Sequence, residues 1–149
     1  MKEIEWKKDY CTGYEIIDSA HENLFSIMRR ILKICDDSNF KKNEFVCRES
    51  IKYLRSYAEK HFSEEEGIMR KIGYSKYEYH KELHDEFKNK TVDEFERKLI
   101  NTDYSKEVTL EYIEFFYDWL TNHILVEDRQ ITSWINKKRS MMKICNSDL

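Results

Sequence analysis

Residues 39–73 read NFKKNEFVCRESIKYLRSYAEKHFSEEEGIMRKIG, and this stretch decides the fold. It contains no proline, and only Gly67 interrupts it before Gly73. Apolar side chains recur at Phe45, Val46, Ile51, Leu54, Tyr57, Ala58, Phe62, Ile68 and Met69, the period of an α-helix. The spacing predicts a helix starting near Ser38 or Asn39, running about eight turns, and stopping at Gly73 behind Arg70 and Lys71. Upstream, Ser19 with Glu22 matches a capping box, opening a helix to about Asp36 with Leu24, Ile27, Met28, Ile31, Leu32 and Ile34 as its stripe. Downstream, Ser75 with Glu78 matches another, opening a helix through Leu83, Phe87, Val92, Phe95 and Leu99 to about Asn101. A fourth helix should begin near Ser105 and reach the region of Lys137, with Leu110, Ile113, Phe116, Trp119, Leu120, Ile124 and Ile131 facing inward. Four helices with short connections predict an all-α, antiparallel up-down-up-down four-helix bundle. The expected organisation is one domain: an arm at 1–18, the bundle at 19–138 and a short tail at 139–149.

Composition narrows the function. The 149 residues are 40% hydrophobic and 37% charged, enough for one soluble domain with its own core. A net charge of −3 supplies no field that would draw nucleic acid or an anionic membrane. The amino terminus lacks a signal-peptide core and no run reaches membrane-span length, so the chain reads as cytoplasmic. Cys11, Cys35, Cys47 and Cys145 form no Cys-x-x-Cys pair. They are expected to be reduced thiols, packed or idle, rather than a zinc knuckle or a dithiol redox motif. Lys137, Lys138, Arg139 and Lys143 read as a solvated helix end whose cations suit the helix dipole. The aromatic residues fall at helical spacing and read mostly as core.

Chemistry enters with the histidines. All five form one ordered series with two carboxylates: His21; His61 and Glu65; His80 and His84; His123 and Asp128. Residues four apart project from one helical face, so His61 with Glu65, and His80 with His84, can each reach a common point. One such pair is weak evidence; two on adjacent helices, with further histidines on the other two, make a metal site. His123 and Asp128 are five apart and would end about 140° out of register on an ideal helix, so the backbone from Ile124 to Asp128 must bulge or break for both to face the site. Five imidazoles and two carboxylates exceed one tetrahedral zinc and are too nitrogen-rich for calcium or magnesium. Two ions suit them better. Residue types favour iron, yet also admit zinc, manganese or cobalt. If both carboxylates bridge, the histidines divide three and two, leaving one ion able to take a small ligand.

The series His21; His61-Phe62-x-x-Glu65; His80-x-x-x-His84; Trp119-Leu120-x-x-His123-Ile124-x-x-x-Asp128 resembles the hemerythrin family, and within it the single-domain bacteriohemerythrins. The likeness runs from Trp6 and Gly13 to Trp134 and includes all seven ligand positions. It implies a non-haem di-iron centre that binds dioxygen reversibly. By that resemblance His80, His84 and His123 hold the coordinatively filled iron and His21 and His61 the other, with Glu65, Asp128 and an oxo or hydroxo group as bridges. Leu24 follows His21 by three residues, Trp119 precedes His123 by four, and Phe62 and Ile124 adjoin ligands. In such relatives apolar residues at these places wall the dioxygen pocket; by apolar character alone they are equally ordinary core. Two departures stand out: Ala20 where many relatives carry glutamine, and Gly73-Tyr74 without the proline often found in that turn. The favoured class is a carrier, store or scavenger of dioxygen rather than an enzyme. A di-iron peroxide or dioxygen reductase would need an electron donor that the sequence does not identify, and an oxygen or iron sensor module would need an output domain.

Overall fold

The computed structural model describes the backbone of residues 3–147 and the side chains of residues 3–143; Met1, Lys2 and the Cys145 side chain lie outside the described residues. Helices α1 (Glu15–Asp36), α2 (Phe40–Lys71), α3 (Tyr77–Glu86), α4 (Asp93–Asn101), α5 (Lys106–His123) and α6 (Arg129–Ser147) follow one another. A π-helical segment, Phe87–Val92, fuses α3 to α4, and another, Ile124–Asp128, fuses α5 to α6. The six α-helices therefore make four bundle members: α1, α2, α3 with α4, and α5 with α6. Among the described residues there is no strand, and no helix is long and apolar enough to cross a membrane.

The ends of the helices show which local signals were used. Helix α2 stops as expected: Gly73 adopts φ +63°, its N–H donates to Arg70 O, and the Tyr74 N–H reaches back to Met69 O at 2.9 Å. From α6, Lys138 Nζ then donates to Ile72 O at 2.9 Å, covering that end. Ser105 caps α5 by accepting from the Val108 N–H at 3.3 Å.

Neither proposed capping box forms. Helix α1 begins at Glu15, so Ser19 lies inside it. The cause is Asp18, which accepts from Thr12 N and Thr12 Oγ1 at 2.7 Å each and from Gly13 N at 3.1 Å. Those bonds fold the arm back with Gly13 at φ +87° and let the helix start a turn early. Lys76, not Ser75, sits at the start of α3, and it makes no side-chain cap. The segment read as a tail after residue 138 continues as helix to Ser147. Phe45 and Val46 are 70% and 49% exposed, on the outer face of α2.

The main core fills one half of the bundle with Met28, Ile31, Ile51, Leu54, Ile113 and Phe116, all fully buried or nearly so. The Phe87–Val92 segment keeps its own member in phase. On an ideal helix Val92 and Leu99 would point more than about 100° from the face of Phe87, yet all three are buried.

Candidate metal centre

Towards the other end, ahead of a small apolar cluster of Met69, Tyr74, Ile131 and Ile135, the interior turns polar. His21, His61, Glu65, His80, His84, His123 and Asp128 come together there, none more than 4% exposed. Each bundle member contributes: α1 His21, α2 His61 and Glu65, α3 His80 and His84, and the α5–α6 member His123 and Asp128. The last pair depends on the Ile124–Asp128 π segment, in which the Arg129 N–H reaches back five residues to Ile124 O. That extra residue per turn gives a five-residue spacing the projection of an ordinary four-residue one, as the spacing predicted.

The donor atoms form two groups that share the carboxylates. One contains Glu65, His80, His84, His123 and Asp128; the other contains His21, His61, Glu65 and Asp128. In the first, the His123 Nε2 stands 3.0 Å from His80 Nε2 and 3.1 Å from His84 Nε2. Glu65 Oε1 lies 2.8 Å from His80 Nε2 and 3.4 Å from His84 Nε2. Asp128 Oδ1 lies 3.2 Å from His80 Nε2 and 3.1 Å from His123 Nε2. The opposite carboxylate oxygens face the second group: Asp128 Oδ2 is 3.1 Å from His21 Nε2, and Glu65 Oε2 is 3.4 Å from His61 Nε2.

These separations carry information about coordination. Donors about 2.1 Å from an ion stand about 3.0 Å apart on adjacent octahedral axes and about 3.4 Å apart on a tetrahedron. The first group clusters nearer the octahedral value, and five donors already exceed a tetrahedral shell. Imidazole nitrogens 3.0 Å apart oppose lone pair to lone pair unless a proton or a cation sits among them. Orphaned polar atoms make the same case: His21 Nε2, Glu65 Oε2 and both Asp128 oxygens are buried without a hydrogen bond of acceptable geometry. Left bare, each would cost about 1–3 kcal/mol. The donor set fits two cations.

Proton affinities in the metal-free site follow from crowding. Burial works against charge on His61, outweighing the attraction of Glu65, and lowers its pKa to about 4. Burial also opposes the charged form of His80, but Asp128 and Glu65 overcome it and raise the pKa to about 9. For Glu65, burial and the neighbouring Asp128 favour the neutral acid; hydrogen bonds from His80 and His84 win and pull it to about 2. Asp128 is held well below its ordinary value, against burial, by His123, His21 and His80. Both shared carboxylates are thus favoured in their ionised form in the folded chain.

The profile of the hemerythrin HHE cation binding domain matches residues 12–135. The chain belongs to the hemerythrin family. Among curated relatives, the bacteriohemerythrin of Clostridium acetobutylicum is 35% identical over 125 residues, covering 84% of this chain and 95% of that protein. Hemerythrin subunit alpha of Lingula reevii is 29% identical, covering 83% of this chain and 87% of the subunit. A hemerythrin-like protein of Naegleria gruberi is 27% identical across 84% of this chain.

Around the hemerythrin donors, aromatic rings close the site. Phe62 stacks on His84 at 4.1 Å and Trp119 on His123 at 4.5 Å, while Phe62 and Trp119 meet edge to face at 5.7 Å. Leu24 and Ile124 are fully buried, Phe62 nearly so, and Trp119 half-buried. From the arm, Trp6 lies 6.2 Å from the His21 ring, and Tyr74 lies 6.5 Å from that of His80.

Glu66 escaped the sequence reading. It is 8% exposed, and its Oε1 accepts from His84 Nδ1 at 3.0 Å. That bond places the ring proton on Nδ1 and leaves the Nε2 lone pair facing the site. Within the run Glu64-Glu65-Glu66, nothing local distinguishes it from a solvated carboxylate.

Proposed function

We propose that this hemerythrin domain binds dioxygen reversibly at a pair of iron ions. His80, His84 and His123 would hold one ion, His21 and His61 the other, and Glu65 and Asp128 would bridge them with an oxo or hydroxo group. The observation that carries the reading is the unequal donor count, five against four, with both carboxylates shared. The first group could give its ion five protein ligands and the second only four, so the ion held by His21 and His61 would be the one able to take an exogenous ligand. Two iron ions so close would supply the electrons by which dioxygen is held and, on their return, let go.

The chain's own part is to orient and to exclude. Glu66 fixes the His84 tautomer, the π segment aims Asp128, and the two ionised carboxylates balance positive charge inside a dry interior. Leu24, Phe62, Trp119 and Ile124 are assigned to the pocket wall, where apolar surface keeps water and protons from the bound ligand.

The test is anaerobic loading with ferrous iron, metal analysis, and optical spectra through cycles of oxygen and argon. About two irons per chain and a spectrum that appears with oxygen and reverses under argon are expected. Retention of one zinc and no iron after loading would overturn the metal assignment. Steady consumption of an added reductant with oxygen or peroxide would reassign the domain to the reductases.

A further inference from the structure

The bundle end beside His80 is rich in cations. Lys137, Lys138 and Arg139 do not finish α6, which runs on to Ser147, so the dipole of a helix terminus does not account for them. Lys76 and Lys137 instead border a cleft of about 300 Å³ between the start of α3 and the face of α6, together with Tyr74, Gln130 and Trp134. Lys76 Nζ donates across it to Gln130 Oε1 at 2.7 Å, and Lys138 Nζ lies 5.0 Å from the centre of the Trp134 ring. Arg70, 5.6 Å over the Tyr77 ring, and Lys71 extend the positive surface from the end of α2. Against them stand Glu78, in the first turn of α3, and Glu127, whose charge is felt at Tyr74. The whole chain carries −3, so this positive end is matched by a negative excess elsewhere.

Aromatic rings join this surface to the donor site. The Trp134 ring, half-buried beneath Lys138, meets Tyr74 edge to face at 5.9 Å, and Tyr74 lies 6.5 Å from the ring of His80. The Trp134 Nε1–H donates to Ile72 O at 3.4 Å and so holds the indole in place. Trp119 also reaches a donor ring, that of His123, but Phe62 and Phe87 pack on it in place of cations.

We infer that this face docks an acidic one-electron carrier protein, and that Trp134 and Tyr74 carry its electrons to the His80 side of the donor site. An aromatic ring framed by like charges suits a transient encounter: long-range attraction steers the partner in, and a small contact area lets it leave. The purpose rests on the di-iron reading, because dioxygen lost as peroxide leaves both ions oxidised and a reductant must restore them. Each docked carrier loses one electron and one ferric ion becomes ferrous, so two encounters restore a pair. Neither ring is left oxidised or reduced, the chain makes and breaks no covalent bond, and any proton drawn to the bridge comes from solvent.

The probe is a plant-type 2Fe–2S ferredoxin, small and acidic, with basic cytochrome c as the opposite control. Binding of the oxidised probe to the full chain, as purified and again after iron loading, is measured by titration calorimetry at about 20 and 200 mM salt. Ferredoxin should bind at low salt and at least about tenfold more weakly at high salt, and cytochrome c should not bind. Lys76→Glu with Lys137→Glu should weaken binding at least about tenfold, whereas the same charge change at Lys41 and Lys42, exposed at the opposite end of α2, should alter it less than about twofold. Reduction of the oxidised, iron-loaded chain by saturating reduced ferredoxin is then followed anaerobically in stopped flow. Trp134→Ala should lose most of the limiting rate and Trp134→Phe recover it, with reduction by dithionite unchanged in both. Binding indifferent to Lys76 and Lys137, an equal loss in the Lys41 and Lys42 variant, or capture of duplex DNA or anionic vesicles where ferredoxin does not bind would each overturn the docking. Docking without reduction of a chain shown to hold two irons would overturn the path. A chain that takes up no iron fails the dioxygen reading instead, and the binding arms still decide the docking. The lysine variants are on the surface and decide even if Trp134→Ala does not fold.

Discussion

The two halves of the bundle interior are built on the same helices and held by opposite physics. Around Met28, Ile31, Ile51, Leu54, Ile113 and Phe116 the helices meet through apolar surface, and burial itself is the driving force. Around His21, His61, Glu65, His80, His84, His123 and Asp128 they meet through groups that water would otherwise hold. Desolvation there is repaid only when charges and lone pairs find partners. One half is stable by composition; the stability of the other is conditional on what it binds.

The sharpest way to break this contrast is to remove the metal. Ligand linkage contributes about 4 kcal/mol for each ion present at a thousandfold its Kd, so stripping both should lower Tm by at least about 15 °C. Thermal unfolding by circular dichroism, with and without chelator, measures it. An unchanged Tm would mean that the polar half needs no cation. Next in size is Leu54→Ala, which removes a fully buried side chain from the apolar half. It should cost about 2–5 kcal/mol in urea unfolding while leaving iron per folded chain unchanged. Loss of metal from that variant would show that the halves are not separable.

Glu66→Ala addresses the join between protein and ion. Without the acceptor at His84 Nδ1, metal affinity should fall about 10–100-fold in competition with a chelator, and Glu66→Gln should recover part of it. Leu24→Asp should keep helicity and iron but shorten the dioxygen-adduct lifetime about tenfold, because a carboxylate admits water and a proton source. An unaltered autoxidation rate in the folded, loaded variant would take Leu24 out of the wall.

The smallest effect is a pH dependence of the metal-free chain. His80, raised to about 9, binds its proton more tightly when folded, so its contribution is complete below 6.5 and disappears as pH rises through about 9. Glu65, lowered to about 2, contributes above 4.5 and loses that contribution as pH falls towards 2. His61, lowered to about 4, adds the opposite slope, since its contribution is complete above 6.5 and is lost as pH falls towards 4; stability of the metal-free chain should therefore peak near 6.5. Metal uptake near neutrality should release at least about one proton, from His80 and from His21 and His84, whose proton affinities the carboxylates also raise, measurable by calorimetry in buffers of different ionisation enthalpy. A proton count of zero would mean that His21, His80 and His84 are all already neutral.

Local sequence was informative wherever a single local signal had no competitor. The period of α2, its Gly73 stop and the Ser105 cap each depend on residues within a turn or two, and the break between His123 and Asp128 followed from two residues and the pitch of a helix. Ser19 and Ser75 failed as caps although their local pattern was correct. For Ser19, a competitor decided: Asp18, bound to Thr12 and Gly13, moved the helix start. The Phe87–Val92 segment had no signature, since its residues suit an α-helix equally and only the need to bury Val92 and Leu99 with Phe87 selects the wider turn.

The sequence by itself determined that seven metal-binding side chains lie on four helices in an order that lets them converge, because helical periodicity is a property of neighbours along the chain. Only the tertiary structure decided how the carboxylates divide between two groups of donors and that Glu66 and not Glu64 supports an imidazole. Those are contacts between different helices, and the rotation and depth at which two helices pack is set by all the side chains between them, not by the residues that happen to touch.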